Sequence, residues 1–244
     1  MIFVKNLLKK PNTPVIICAI SLAILVTAFV LVLIFFLNGR ASLATQQQWA
    51  SGKESFDSAY EIAAADKDTP DKTLYVPKLK DQLGKKLEDA VKDIGQGAVV
   101  VSSDANQTVC NLTNESANLQ NGTPTVVFGT EKGIVKSASF SCSTWLLGYG
   151  PLSFVDMINN EHCIEKVLNE AGLQVDYGIV VAPTNRASYT TYAQDGTTVS
   201  TEKCEFSGAS GRNKWSASLV YDYTLANTKG NLANTIRTVS VTIS

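Results

Sequence analysis

Two neighbouring stretches decide the fold: residues 197–206 read TTVSTEKCEF, and residues 214–224 read KWSASLVYDYT. Polar and apolar side chains alternate along much of both, and Val, Thr and Tyr, which favour strands, are frequent. The segment between them, SGASGRN, is polar and contains two glycines, as a connection between adjacent strands requires. The two stretches therefore predict an antiparallel pair of β-strands.

The same strand pattern recurs on both sides of this pair. We predict further strands at residues 98–102, 125–129, 134–142, 174–182, 188–193 and 236–243. Gln194, Asp195 and Gly196 form a hairpin signal before residue 197, and residues 227–231 form a looser turn before the last strand. A meander of antiparallel strands is the simplest arrangement of these elements.

Two helices are predicted beside the strands. Residues 76–95 carry apolar side chains every three or four positions with charged ones between them, and Pro77 and Gly95 suit the two ends. Residues 153–171 have a similar apolar stripe and are followed by Gly172. Helices packed on one face of an antiparallel sheet define the α+β class, which is the fold we expect for residues 76–244.

The amino-terminal part predicts a membrane anchor. Residues 15–37 are 23 consecutive residues without a charge, and as a helix they would span ~34 Å. Lys5, Lys9 and Lys10 precede this run, so we expect residues 1–14 in the cytoplasm and the chain after the anchor at the cell surface or in the periplasm. The alternative is a secretory signal cleaved after Ala44, for which the apolar run is long.

Residues 38–75 are predicted to join this anchor to the folded domain. Residues 42–65 lack proline and place Trp49, Phe56 and Tyr60 on one helical face, which indicates a helical stalk. Residues 66–75 are charged and contain Pro70, which indicates a linker.

The charge distribution argues against a nucleic-acid partner. The chain has 21 basic and 22 acidic side chains, and three of the lysines lie before residue 38, so 18 basic and 22 acidic ones remain beyond it. A mildly acidic domain without a Lys/Arg cluster lacks the positive surface that binds a phosphate backbone. We therefore expect protein partners or self-assembly.

The cysteines predict structural disulfides. Cys18 lies inside the predicted anchor, and the other four, Cys110, Cys142, Cys163 and Cys204, form an even set in the exported part. Their wide spacing matches neither a zinc knuckle nor a redox pair. Pairing Cys110 with Cys142 and Cys163 with Cys204 is our preferred connectivity, and four buried thiols are the alternative.

No motif for catalysis, a cofactor or a metal is found, so we predict no enzymatic site. His162 is the single histidine, which removes most histidine-dependent mechanisms. Glu161 and Glu165 lie one turn apart on the predicted helix, and we expect both on its solvated face. The glycines at 148 and 150 and those at 208 and 211 lack the Lys-Ser/Thr ending of a nucleotide-binding loop.

The best functional candidate is an apolar loop, WLLGYGPL at residues 145–152. Loops are usually polar, and exposed aromatic side chains are typical of protein interfaces. We therefore predict that Trp145, Leu147 and Tyr149 contact a partner, unless they are buried under the following helix. The resulting function is protein binding or surface and envelope assembly by a membrane-anchored, disulfide-braced domain.

Two alternative functions remain open. The order of a basic start, a long hydrophobic helix, a helical stalk and a β-rich end resembles the general plan of type IV pilin-like proteins, which implies a structural subunit. Residues 11–38 carry neither a glycine before an aromatic residue nor a glutamate early in the hydrophobic run, so this resemblance is architectural. An extracytoplasmic enzyme that works without histidine is the other alternative.

Overall fold

The computed structural model describes residues 70–113 and 122–244. Eight strands form a single sheet in this part of the chain. Their bounds are β1 Val99–Ser103, β2 Gln107–Asn111, β3 Thr125–Glu131, β4 Ile134–Ser143, β5 Thr190–Tyr192, β6 Val199–Ser210, β7 Asn213–Asp222 and β8 Ile236–Ile243. Four short helices accompany the sheet: α1 Leu87–Asp93, α2 Phe154–Asn159, α3 Cys163–Glu170 and α4 Thr224–Lys229.

All strand pairs of the sheet are antiparallel, in the order β1-β2-β3-β4-β8-β7-β6-β5. The first four strands form a meander, and β5, β6 and β7 form a second one. The last strand, β8, lies between β4 and β7 and joins the two meanders. The two meanders therefore form one continuous sheet only when β8 is in place between them.

The two faces of the sheet differ in composition. Alternate residues of the strands, such as Phe128, Phe140, Leu219 and Val239, point into the core and are at most 1% exposed. The opposite face, which we call the open face, carries serine and threonine hydroxyls that bond across the strands, as between Ser139 and Thr242 at 2.9 Å and between Ser240 and Ser141 at 2.8 Å. This alternation follows from the period-two geometry of a strand.

The core face is covered by α2, α3 and short 3₁₀ turns at Lys80–Gln82 and Thr144–Leu147. Phe154 of α2 stacks on Tyr189 at 5.2 Å and meets the edge of Tyr221 at 5.3 Å between ring centroids. Buried aliphatic side chains of both helices complete this layer: Met157, Ile158, Ile164, Val167 and Leu168.

The predicted helix at residues 76–95 is wrong in its first half. Gly84 adopts a φ of +82° and interrupts it. The residues around it pair with β4 instead, since the Gly84 N–H bonds the Val135 carbonyl and the Val135 N–H bonds the Lys85 carbonyl, both at 2.9 Å. Tertiary pairing with a strand edge thus overrides the helical pattern, and only α1 remains.

The predicted helix at residues 153–171 is two helices. α2 ends at Asn159, and His162 adopts a left-handed φ of +50° before α3 begins. Two consecutive asparagines mark the break, and asparagine competes with a helix by bonding backbone groups elsewhere. The apolar spacing of six residues from Ile158 to Ile164 fits a broken helix as well as a continuous one.

The strand predicted at residues 174–182 is also wrong. This segment lies outside the sheet, and side chains of α2 and α3 take up several of its backbone N–H groups. Conversely, the sequence interpretation missed β2, and residues predicted as a turn at 227–231 begin inside α4. The other predicted strands are confirmed, with shifted ends.

The predicted fold class needs correction, because the described residues are mostly β, with one eight-stranded antiparallel sheet and only short helices. The helices predicted at 15–37 and 42–65 lie outside those residues. Within 70–113 and 122–244, no helix combines the length and the hydrophobicity that crossing a bilayer requires. Residues 70–75, predicted as a linker, pack on the domain, since Leu74 is 1% exposed and Lys72 pairs with Glu170 at 2.7 Å.

Candidate functional site

The apolar loop predicted to bind a partner is largely packed inside the domain. Thr144–Leu147 form a 3₁₀ turn that Ser143 caps and Gly148 ends with a φ of +87°. Leu147 is 7% exposed, and Trp145 and Tyr149 are half-buried. The Leu146 carbonyl accepts the N–H groups of Thr73 and Leu74, both at 3.0 Å.

Tyr149 is engaged with α3 rather than free. Burial, followed by the neighbouring Cys163, raises the pKa of Tyr149 far above its ordinary range. The Lys166 ammonium lies 5.8 Å from the centre of its ring. A partner contact by Trp145, Leu147 and Tyr149 stays a prediction, and it would have to use the exposed half of the two aromatic rings.

The disulfide prediction is wrong: Cys110, Cys142, Cys163 and Cys204 are free, buried thiols. Cys110 lies on β2 and Cys142 on β4, with β3 between them. Strands two apart are separated by roughly 9–10 Å, beyond the ~7 Å limit for bridged α-carbons. Cys163 lies on α3, which packs on β7 and β8, whereas Cys204 lies on β6 beyond them.

The buried thiols are poor nucleophiles. Burial raises the pKa of Cys163 to about 12 and that of Cys204 to about 11. Burial, followed by the neighbouring Cys163, holds the pKa of Cys142 well above its usual value. Because the thiolate is the reactive form, these cysteines are inert at neutral pH.

A second segment, residues 177–181, which we call the 177–181 loop, presents the apolar surface that residues 145–152 do not. Tyr177 is 60% exposed, Ile179 54% and Val181 61%. Val155 of α2 is 38% exposed and lies one helical turn from Asn159. The Asn159 side chain accepts the Ala182 N–H, so Val155 lies near the end of this loop. Four of the eight large exposed apolar side chains in the described ranges therefore belong to this region.

The 177–181 loop is fixed to α3 by Glu165. One carboxylate oxygen of Glu165 accepts the N–H groups of Gly178 at 3.0 Å and Val180 at 3.2 Å. The side chain is 0% exposed, and its other oxygen has no hydrogen-bond partner among the described residues. The expectation that Glu161 and Glu165 share a solvated face is therefore wrong for Glu165, while Glu161 pairs with Lys166 near the surface at 3.1 Å.

Two further side chains brace the same loop. The Asn159 carbonyl oxygen accepts the Ala182 N–H at 2.9 Å. The His162 ring stacks on Tyr177 with 5.5 Å between centroids, and its Nδ1 lies 3.7 Å from the Glu165 carboxylate. His162 thus packs against the 177–181 loop. The sequence showed only that it is the single histidine and did not indicate this contact.

The segment that contains the 177–181 loop carries one acidic side chain and no basic one. From Gln174 to Asn185 the sequence contains Asp176 and no lysine or arginine. Asp176 is exposed next to Tyr177. The nearest arginine along the chain, Arg186, is tied to the buried Glu202 at 2.9 Å, and Tyr223 donates to the same carboxylate at 2.5 Å.

The sheet itself offers a second exposed apolar region at β1. All five residues of this edge strand are exposed, and the valines at 99, 100 and 101 are exposed by 56%, 46% and 53%. Val101 falls in a bulge, because Val100 pairs with Cys110 and Ser102 with Val109. The sequence interpretation predicted this strand and did not predict its position at the edge.

The open face carries a shallow groove of about 520 Å³ over β6, β7 and β8. Serine and threonine hydroxyls line most of it, and the charged member is Glu205, which pairs with Lys203 at 2.7 Å. This hydrogen bond is the first cause that lowers the pKa of Glu205. Within the described ranges, no group of three or more His, Cys, Asp or Glu is arranged to hold a metal ion.

Comparison with known proteins identifies no relative. No protein family, no curated protein and no solved structure matches the chain. The function is therefore inferred from the surfaces described above.

Proposed function

We propose that the domain is a protein-binding module that contacts another protein through the 177–181 loop. The observation that carries this proposal is the combination of exposure and rigidity. Three apolar side chains face solvent on a loop whose backbone is held by Glu165 and Asn159. Tyrosine is among the residues enriched at the centre of an interface, and a backbone that is already fixed reduces the entropy lost on binding.

The energetics favour a binding role over a simple connection. Fully burying one large apolar side chain stabilises by roughly 1.5–3 kcal/mol. Tyr177, Ile179 and Val181 are more than half exposed, so the free domain gains only part of this energy from each. Holding the loop with a fully buried carboxylate adds a desolvation cost. A loop that is already ordered loses less entropy on association, so this cost is offset when a partner binds.

The partner that fits this surface is a folded protein with an apolar patch and a basic rim. Asp176 beside Tyr177 attracts basic side chains. A phospholipid surface fits less well, because interfacial segments bind anionic lipids through lysine and arginine, which residues 174–185 lack. The same lack of basic residues disfavours nucleic acid.

Site-specific photo-crosslinking in cells that make the full chain tests the proposal. A photo-reactive phenylalanine analogue replaces Ile179 or, as the control, Ser216 on the open face. We expect position 179 to crosslink one discrete protein that position 216 does not. The recovered partner, once purified, should bind the Ile179→Ser variant at least about tenfold more weakly than the wild type, and Ser216→Ala normally.

Three outcomes would contradict the proposal. They are equal crosslinking from both positions, crosslinking from position 179 to a second copy of the chain alone, and unchanged affinity of the Ile179→Ser variant. A vesicle assay tests the lipid alternative. If the wild type sediments with phosphatidylserine-containing vesicles and the Ile179→Ser variant does not, the loop binds a lipid surface instead.

The extracytoplasmic location of the domain stays a prediction from the sequence. An enzyme that works without histidine stays the alternative function. The hydroxyl-lined groove on the open face is the region where such an activity would be sought, and loss of a measured activity in a Glu205→Gln variant with intact partner binding would favour it.

A further inference from the structure

We propose that β1 also pairs with β1 of a second copy of the chain, antiparallel and centred on Val101, to form a twofold-symmetric dimer. The proposal concerns the sheet edge and is independent of the 177–181 loop. Its basis is an exposed, uncharged and self-complementary edge strand.

The edge of β1 lacks the devices that usually prevent strand addition. Edge strands are normally protected by lysine, proline or inward-pointing charges. β1 reads VVVSS, with none of these, and all of its residues are exposed. Its bulge is one protective feature. The same bulge leaves Val101 without a paired residue in the β2 register.

Antiparallel pairing of two identical strands brings no charges together here. With Val101 opposite its own copy, Val100 faces Ser102, Val99 faces Ser103, and Ala98 faces Asp104. The two Asp104 side chains then lie six residues apart along the ladder, roughly 20 Å, where their repulsion is screened. The valines in the middle supply apolar cross-strand contacts.

The other edge of the sheet explains why association stops at two copies. β5 has only three residues, TTY, and a 3₁₀ turn at Arg186–Ser188 directly precedes it. A strand of this length offers few backbone groups for pairing. Within the part of the chain that the structure describes, the sheet thus has one open edge of useful length, which gives a closed pair rather than a fibre. Because β1 is itself short, its interface is small and the dimer is expected to be weak.

Sedimentation velocity of the purified full chain over a range of concentrations tests the dimer. The wild type should shift from monomer to dimer as concentration rises, and Val101→Lys should raise the dissociation constant at least about tenfold, because two lysines would face each other. Thr191→Lys, which places the same charge on the exposed centre of β5, is the matched control and should dimerise normally. Equal far-ultraviolet circular dichroism and melting of the two variants shows that both fold.

Cysteine crosslinking tests the register separately. Under mild oxidation, Val101→Cys should form a disulfide-linked dimer, whereas Val99→Cys should not, since residue 99 faces Ser103 of the other copy. The wild-type chain measures any background from its own cysteines. A wild type that stays monomeric at all concentrations, a dimer that persists in Val101→Lys, or equal crosslinking at positions 99 and 101 would overturn the proposal.

Discussion

Glu165 shows how one residue takes a role opposite to its usual one. A glutamate in an amphipathic helix normally faces water, yet this side chain is 0% exposed and holds the N–H groups of Gly178 and Val180. Those donors lie 13 and 15 residues further along the chain. Nothing in the local pattern around α3 indicates that they will be there.

We predict that Glu165→Ala releases the 177–181 loop. The buried Val180 N–H and the partly buried Gly178 N–H lose their acceptor, so the free energy of unfolding should fall by roughly 2–4 kcal/mol. The amides of Gly178 and Val180 should exchange with solvent much faster. Urea unfolding and amide hydrogen exchange measure the two effects.

Glu161→Ala is the matched control for this prediction. It removes a surface pair with Lys166, which is worth at most about 1 kcal/mol. Equal losses in the two variants, or unchanged exchange at residues 178 and 180 in Glu165→Ala, would show that the carboxylate does not fix the loop.

At the scale of elements, the break between α2 and α3 depends on the backbone of His162. A φ of +50° suits glycine and is unfavourable for alanine. In a continuous helix the order is reversed, because alanine is the best helix former. Substitution at this position therefore distinguishes two helices from one by the sign of a stability difference.

We predict that His162→Gly is more stable than His162→Ala by about 1 kcal/mol. Both variants lose the ring that stacks on Tyr177, so this loss cancels in the comparison. Urea denaturation of the two variants measures the difference. A more stable His162→Ala would mean that residues 153–171 form the single helix that the sequence pattern indicates.

At the scale of the whole molecule, the four buried cysteines are distributed through one continuous core. Cys110, Cys142, Cys163 and Cys204 belong to β2, β4, α3 and β6, which span both meanders and the helical layer. Since β8 joins the two meanders, neither half of the sheet is complete without the other. We therefore expect the domain to unfold as one unit.

We predict that these four thiols react together and only on unfolding. Iodoacetamide without reductant should leave them unmodified in buffer and alkylate all four in denaturant, because they are buried and free. At intermediate urea, mass spectrometry of peptides should find them modified to the same extent. If two cysteines stay unmodified in denaturant, they form a disulfide after all. If Cys110 reacts at lower urea than the others, the first meander unfolds separately.

The sequence by itself determined which residues form most of the strands. The alternation at 134–142, 214–224 and 236–243 is local, since a strand with one buried face repeats every two residues. The expectation that basic, nucleotide-binding and histidine-dependent sites are absent also depends only on residue types and spacing, and it stays a prediction. These conclusions depend on neighbours along the chain and on composition.

The tertiary structure alone decided which surfaces are exposed. Residues 145–149 and 174–182 are both apolar in sequence. The first segment is packed against α3 and residues 73–74, whereas the second exposes Tyr177, Ile179 and Val181. Residues 174–182 alternate like a strand but join no strand ladder, and several of their backbone N–H groups bond to side chains of α2 and α3. Likewise, β1 lies at an edge because β8 pairs with β4 and β7 and not with β1. Burial and strand order depend on contacts between residues far apart in the chain, and a local pattern does not contain them.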